Sequence, residues 1–213
     1  MSPAAKARPA AQKKSLHASE RDTERVQQAR AEYAKALKRL DLKRCKFIDE
    51  SGINLALTPL YGRAPRGQRA TGSAPINYGQ NVTLIGALGS SGLDALLMIE
   101  GPTDGEVFRA YTERMLCPTL ATGDIVVMDN LRAHKVSGIR EAIEARGAQL
   151  IYLPPYSPDL NPIERCWSKI KQGLRAAGAR SRRKLERAIK RALETVSESD
   201  ALAWFAHCGY ELN

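Results

Sequence analysis

The stretch from Leu150 to Ile170, LIYLPPYSPDLNPIERCWSKI, leaves this chain few ways to fold. Leu150 to Leu153 predicts a short apolar strand. The loop after it carries Pro154, Pro155, Pro158 and Pro162. Proline fixes φ and lacks an amide donor, so this loop is pre-set rather than floppy. Asn161 suits a helix N-cap and Pro162 the first helical position. Ile163, Trp167, Ile170 and Leu174 then recur at helical spacing and predict a buried stripe. Glu164 lies beside that stripe, not on it. Two roles are open to it: closing a capping box by reaching back to the Asn161 amide, or serving as an acid fixed beside the end of a strand.

The rest of the chain predicts an α/β fold around this unit. Residues 1–20 are rich in Ala, Lys, Pro and Ser and predict a disordered basic tail. Across 21–41, Val26, Ala29, Tyr33, Leu37 and Leu40 predict an amphipathic linker helix, packed on the domain or joining it to something upstream. Cys45 to Ser51 predicts a strand ending in acids and broken by Gly52. Asn54 to Tyr61 predicts a second strand. Asn81 to Leu88 and Leu93 to Glu100 predict a hairpin turning at Gly89-Ser90-Ser91-Gly92. The GALGSSG piece there lacks the G-K-[ST] ending of a phosphate-binding loop. Thr103 with Glu106 suits a capping box for a helix that buries Val107, Phe108, Tyr111 and Met115. Asp124 to Asp129 is the kind of short apolar strand buried on both faces. Ile139 and Ile143 mark a helix closed by Gly147. A basic helix over Ser181 to Val196 turns Leu185, Ile189, Leu193 and Val196 inward, and a short last helix carries Trp204 and Phe205. Hairpins followed by βαβ units imply one mixed sheet, antiparallel on one side and parallel on the other, flanked by helices.

Charge is distributed unevenly. The formal net charge is +10. Residues 1–46 carry 13 Lys/Arg against 5 Asp/Glu, and residues 161–195 carry 11 against 3. Between them, residues 47–160 carry 9 against 12. Basic flanks around an acidic middle suit a polyanion gripped at both sides of a carboxylate centre; solvated basic helix faces give the same count. Cys45, Cys117, Cys166 and Cys208 are scattered without a C-x-x-C pair, which argues against a zinc site and for a reducing compartment. No apolar run approaches the roughly 20 residues of a membrane span, and the N-terminus lacks the apolar core of a signal peptide.

Three acids sit where elements end: Asp49, Asp129 and Glu164. Chemistry in open sheets gathers at the carboxyl ends of parallel strands. If the Cys45 strand lies beside the Asp124 strand, Asp49 and Asp129 become neighbours and Glu164 approaches from the side. Such a trio repels itself without a cation. Oxygen ligands without Cys or His select Mg²⁺ or Mn²⁺. Two such ions would activate a water or a 3′-hydroxyl and stabilise the leaving oxygen of a phosphoryl displacement. Glu50 adjoins Asp49, but strand neighbours point to opposite faces, so only one faces the site.

Three segments now carry a resemblance: FIDESG at 47–52, VMDNLRAHK at 127–135 and LPPYSPDLNPIERCWSKIK at 153–171, with 34 residues between Asp129 and Glu164. From about Ser15 to its end the chain resembles the catalytic domain of DDE transposases of the mariner-like superfamily, in the bacterial insertion-sequence branch. The resemblance implies a ribonuclease-H-like fold over 42–213 and a catalytic, metal-binding triad of Asp49, Asp129 and Glu164. It implies Mg²⁺-dependent cleavage of DNA at transposon ends and strand transfer into target DNA, typically at TA. It favours Asp49 over Glu50. It also implies an upstream helix-turn-helix module, supplied as a partner or a fusion, with this chain as the second-frame, catalytic product. A homodimer on DNA and a cytoplasmic, nucleoid-associated bacterial location are the accompanying expectations.

Around the triad, Asn130 is a candidate near the site or a turn residue, and His134 either orients a water or phosphate or caps the helix near Ser137. Arg63, Arg66 and Arg69 sit in a Gly/Pro-rich segment suited to gripping phosphate, or simply solvated. Lys169, Lys171 and Arg175 extend the Glu164 helix toward a DNA backbone. Arg180, Arg182, Arg183 and Lys184 form a basic patch with no sequence-reading content. Trp167, by its place on the apolar stripe, reads as a core residue rather than one that stacks on a base. Besides a transposase, a DNA-binding remnant without catalysis and a general ribonuclease-H-like nuclease fit these features.

Overall fold

A computed structural model describes residues 17–77, 79 and 81–211. Residues 1–16 of the expected disordered tail lie outside the described residues; within its remainder, Ser19–Asp22 opens with a 3₁₀ turn. Helix α1 follows (Glu24–Leu37), then strand β1 (Cys45–Ile53). β1 pairs antiparallel with β2 (Val82–Gly89), which pairs antiparallel with β3 (Gly92–Glu100). On its other edge β1 runs parallel to β4 (Ile125–Met128), and β4 parallel to β5 (Gln149–Tyr152). The sheet order is β3-β2-β1-β4-β5. Helices α2 (Gly105–Tyr111) and α3 (Ile139–Glu144) bracket β4 in the chain. Helices α4 (Ile163–Ala177), α5 (Arg182–Glu194) and α6 (Glu198–His207) close it. This is the ribonuclease-H-like mixed sheet that the resemblance implies.

Strand alternation builds two cores. Phe47, Leu84 and Val127 point to the face covered by α4, α5 and α6, while Ile48, Ile85, Val126 and Met128 point to the face covered by α2 and α3. All four residues of β4 are buried, as expected of a strand covered on both sides. Ile163, Trp167, Ile170 and Leu174 form the inner stripe of α4, joined by Cys166. The four cysteines are free and buried.

The amphipathic helix packs on the domain. Val26 is fully buried, and the Tyr33 hydroxyl meets the Tyr210 hydroxyl at 2.9 Å. Tyr210 in turn donates to the Leu160 carbonyl at 2.6 Å and packs edge-on against Phe47, with centroids 4.9 Å apart. Such ring pairs add about 0.5–1.5 kcal/mol beyond their area. The end of the chain thereby buttresses both β1 and the loop that leads into α4.

Three local expectations fail for identifiable reasons. Gly52 does not end β1; the strand runs through it, paired with Thr83, to Ile53. Asn54 to Tyr61 is not a strand. Leu55 and Leu57 pack against the core, as their alternation suggests, but their carbonyls accept from Arg180 Nη1 at 3.1 and 3.0 Å instead of from a ladder. Thr103 does not cap α2. Asp104 does, accepting from the Val107 amide at 2.9 Å, and no Thr103–Glu106 capping box forms.

Candidate active site

Parallel pairing sets the first two acids side by side. The β1–β4 register ends at Ile48 opposite Met128, so Asp49 and Asp129 are the next residues along both strands. The Leu153 amide donates to the Met128 carbonyl at 2.9 Å and launches the proline loop from the same end of the sheet. That loop and α4 bring Glu164 to one cavity of roughly 450 Å³ lined by Asp49, Asp129 and Glu164. Gly86 helps to place α4. It faces Asp49 in the β1–β2 register, and a β-carbon on it would stand 3.1 Å from Cη2 of Trp167. The bare backbone lets Trp167 lie against the sheet, one turn beyond Glu164.

Glu164 does not close a capping box. Nor does Asn161 cap the helix: Pro162 holds the cap position, the helix starts at Ile163, no side chain caps it, and the Asn161 amide donates to the Pro158 carbonyl at 3.1 Å. The carboxylate of Glu164 is left to the cavity. Asn161 itself is buried and lines the same cavity, and its Oδ1 has no hydrogen-bond partner among the described residues. Tyr156, also lining the cavity, holds a left-handed φ of 54°, a strained conformation of the kind that collects at functional sites.

Strand alternation sends Glu50 away from Asp49, and there it meets His134. The His134 ring is fully buried. Its Nε2 stands 3.0 Å from Glu50 Oε1 and its Nδ1 2.5 Å from Asp129 Oδ1. Burial alone would lower the imidazole pKa, but the bonds to Asp129 and Glu50 outweigh it and hold it at about 10. His134 is therefore an imidazolium at neutral pH, donating from both nitrogens. Its carbonyl accepts from the Tyr152 hydroxyl at 3.0 Å, and Phe108 stacks on the ring with centroids 4.1 Å apart. The ring does not cap a helix. The signal for Glu50 was present in the strand period, which sends it to the α2 face where His134 lies.

The electrostatics of the cavity suit a divalent cation. Burial, and then the charge of Glu164, push the Asp49 carboxyl up to about 8. Burial and Asp129 also raise Glu164, against the pull of Lys171. Among the described residues, no three His, Cys, Asp or Glu side chains stand close enough to hold one ion as they are. An all-oxygen donor set, a carboxyl whose pKa is raised by burial and then by Glu164, and an unpartnered Asn161 oxygen nevertheless fit a hard divalent cation with its waters.

The other candidates scatter around this centre. Asn130 is exposed and lines the cavity. Arg63, Arg66 and Arg69 are exposed on the irregular segment between β1 and β2. Arg183 and Lys184 are exposed on α5, and Lys171 and Arg175 half-buried on α4. Lys169 is tied to Asp200 at 2.5 Å and to the Thr195 carbonyl at 2.8 Å. Arg182 is tied to Glu100 at 3.0 Å and to Glu186 at 2.7 Å. Arg25, on α1, lines the cavity although nothing in its sequence surroundings marks it.

Comparison with known proteins gives consistent relatives. A family model described as "DDE superfamily endonuclease" matches residues 44–186. The Tcb2 transposase of a transposable element of Caenorhabditis briggsae is 30% identical over 146 residues, 62% of this chain and 54% of that protein. The chain thus spans about half the length of this curated relative. A Mos1 transposase paired-end complex with left transposon end superposes with a TM-score of 0.74 at 17% identity, covering 96% of this chain and 64% of that one. A mariner Mos1 paired-end complex with Mg gives 0.69 at 17% identity, with the same coverage. At these identities the two structures speak for the fold.

Proposed function

Because the chain belongs to the DDE superfamily endonucleases, we propose that residues 42–213 are a transposase catalytic domain that cuts DNA at transposon ends and joins the freed 3′ ends to target DNA. The observation that carries this reading is the convergence of Asp49, Asp129 and Glu164, from β1, the end of β4 and the start of α4, on one cavity at the carboxyl ends of parallel strands. Asp49, Asp129 and Glu164 are the residues that would hold Mg²⁺ or Mn²⁺, two ions in all. Bound there, the ions would supply an activated water or 3′-hydroxyl and neutralise charge on the leaving oxygen.

The chain's own contribution is placement and charge. The imidazolium of His134 fixes one oxygen of Asp129 and leaves the other to the cavity, while Glu50 fixes the imidazolium. The proline loop and the Trp167–Gly86 contact hold Glu164 at its distance from the strand ends. Phosphate contacts fall to Arg63, Arg66, Arg69, Lys171, Arg175, Arg183 and Lys184, with Lys169 serving mainly to tie α4 to α6 and Arg182 to tie α5 to the end of β3. Asn130 lies at the rim, where it would contact substrate. A homodimer on DNA, and a helix-turn-helix module upstream as partner or fusion, complete the proposal, with 21–41 acting as the docked linker. Among the described residues no helix is long and apolar enough to cross a membrane. A cytoplasmic, nucleoid-associated site of action suits a substrate of this kind.

The test is substrate choice. Purified protein is given labelled DNA duplex carrying transposon ends, the matching RNA–DNA hybrid, and a target plasmid, with Mg²⁺ or Mn²⁺. Nicking of duplex DNA and joined plasmid products support the proposal. Cleavage of the hybrid alone would make the chain a general ribonuclease-H-like nuclease. DNA binding without cleavage, even with an upstream module added, would make it a non-catalytic remnant.

A further inference from the structure

Arg25 is the one basic side chain among the residues lining the acidic cavity. It comes from α1, outside the 44–186 segment matched by the family model. Its backbone is held in place: Val26 beside it is fully buried. The segment of α1 and the 3₁₀ turn before it is bolted to the proline loop on both sides of Arg25. Arg30 binds Asp159 through two nitrogens, at 3.1 and 2.8 Å, and reaches the Ser157 hydroxyl at 2.6 Å. Arg21 binds the same carboxylate at 3.0 Å. Burial would raise the Asp159 pKa, but Arg30 and Arg21 overcome this and hold it below the usual carboxylate range. Three arginines thus lie along this segment: Arg21 in the 3₁₀ turn before α1, Arg25 in its first turn and Arg30 in its middle. Two are spent on Asp159, and the third has no ion-pair or hydrogen-bond partner among the described residues.

We infer that Arg25 binds a backbone phosphate of the DNA strand entering the cavity, next to the one that is cut, and that α1 is a wall of the active site. This rests on the reading of the cavity as a DNA-cleaving centre. A strand threaded past three carboxylates brings its own negative charge to an already anionic place, and a cation fixed at the rim supplies the charge-assisted contact that sets its register. Arg25 forms no ion pair with Asp49, Asp129 or Glu164 among the described residues, so it is available to phosphate. Its guanidinium offers a fork that a lysine lacks, but the charge itself is shared by both.

The experiment compares wild type, Arg25→Ala and Arg25→Lys. It measures DNA affinity in Ca²⁺ across a salt series, nicking in Mg²⁺, and Mn²⁺ affinity without DNA. Arg25 is exposed, so its removal leaves the fold intact. The inference predicts that Arg25→Ala weakens DNA binding roughly tenfold and lowers the salt slope by about 1, with Mn²⁺ affinity unchanged. Arg25→Lys keeps the slope. Wild-type affinity and slope in Arg25→Ala would overturn the inference. So would a changed Mn²⁺ affinity with an unchanged slope, because Arg25 would then act on the acids rather than on DNA. Wild type that fails to nick DNA at all contradicts the proposed function instead, a result separable from these.

Discussion

Nδ1 of His134 lies 2.5 Å from Oδ1 of Asp129, inside a ring environment closed to solvent. The same imidazole reaches Glu50 on its other side, so one cation serves two carboxylates, one on β1 and one just past the end of β4. Removing Glu50's charge should loosen this hold without touching the cavity. Glu50→Gln is expected to lower kcat for nicking by about 10–100-fold, the usual cost of losing a supporting partner, with the melting temperature changed far less than by His134→Ala. Steady-state nicking rates and thermal melts of both variants check this.

Asp49 gives a pH dependence of defined sign. Its folded pKa of about 8 stands above the ordinary value of 3.8. Between the two, the folded chain keeps a proton that the unfolded chain has lost. The stability tied to this proton is therefore present at low pH and lost as pH rises through about 8. In EDTA, Asp49→Asn should melt several degrees above wild type at pH 9 and level with it at pH 4. Added Mg²⁺ should stabilise wild type more at pH 9 than at pH 5, because binding must displace that proton. Differential scanning calorimetry with and without metal reads both effects.

Gly86 predicts a geometric defect. A methyl group 3.1 Å from Trp167 forces the indole, or α4 with it, to give by a few tenths of an ångström. Gly86→Ala should destabilise the chain by about 1–3 kcal/mol, the cost of overpacking. It should also reduce nicking more than a core substitution of equal cost far from α4, because Glu164 is carried on the displaced helix. Chemical denaturation and nicking rates measured together separate the two.

Lys169 and Lys184 look alike in sequence and should behave differently. Lys169 bridges α4 to α6 through Asp200 and the Thr195 carbonyl, whereas Lys184 is exposed on α5. Lys169→Ala should lower the melting temperature and leave the salt slope of DNA binding unchanged. Lys184→Ala should lower the slope by about 1 and leave melting unchanged. A salt titration beside a thermal melt distinguishes them.

What the sequence made legible follows its periodicities. The hairpin of β2 and β3, the doubly buried β4 and the stripe Ile163, Trp167, Ile170, Leu174 were readable because packing and pattern agree there. The Asn54 to Tyr61 segment misled because its alternation is real, while its carbonyls are claimed by Arg180, a residue 123 or more positions away. The capping box at Asn161–Glu164 had the right residues but lost its donor to Pro158. The three acids could be named from their places at element ends. Glu50 was set aside although the same alternation that turns it from Asp49 delivers it to His134. Arg25 was invisible, since only the docking of α1 through Asp159 brings it to the cavity.

The central claim is that Asp49, Asp129 and Glu164 form one metal-dependent centre for cutting DNA. The most direct measurement is nicking of labelled duplex DNA in Mg²⁺, Mn²⁺, Ca²⁺ or EDTA by wild type, Asp129→Asn and Glu164→Ala, each verified as folded. The account predicts nicking by wild type in Mg²⁺ and Mn²⁺ only, and loss of at least about 10³-fold in each variant, the order expected when a group central to the chemistry is removed. Nicking that persists in EDTA, or that survives either substitution, would contradict it.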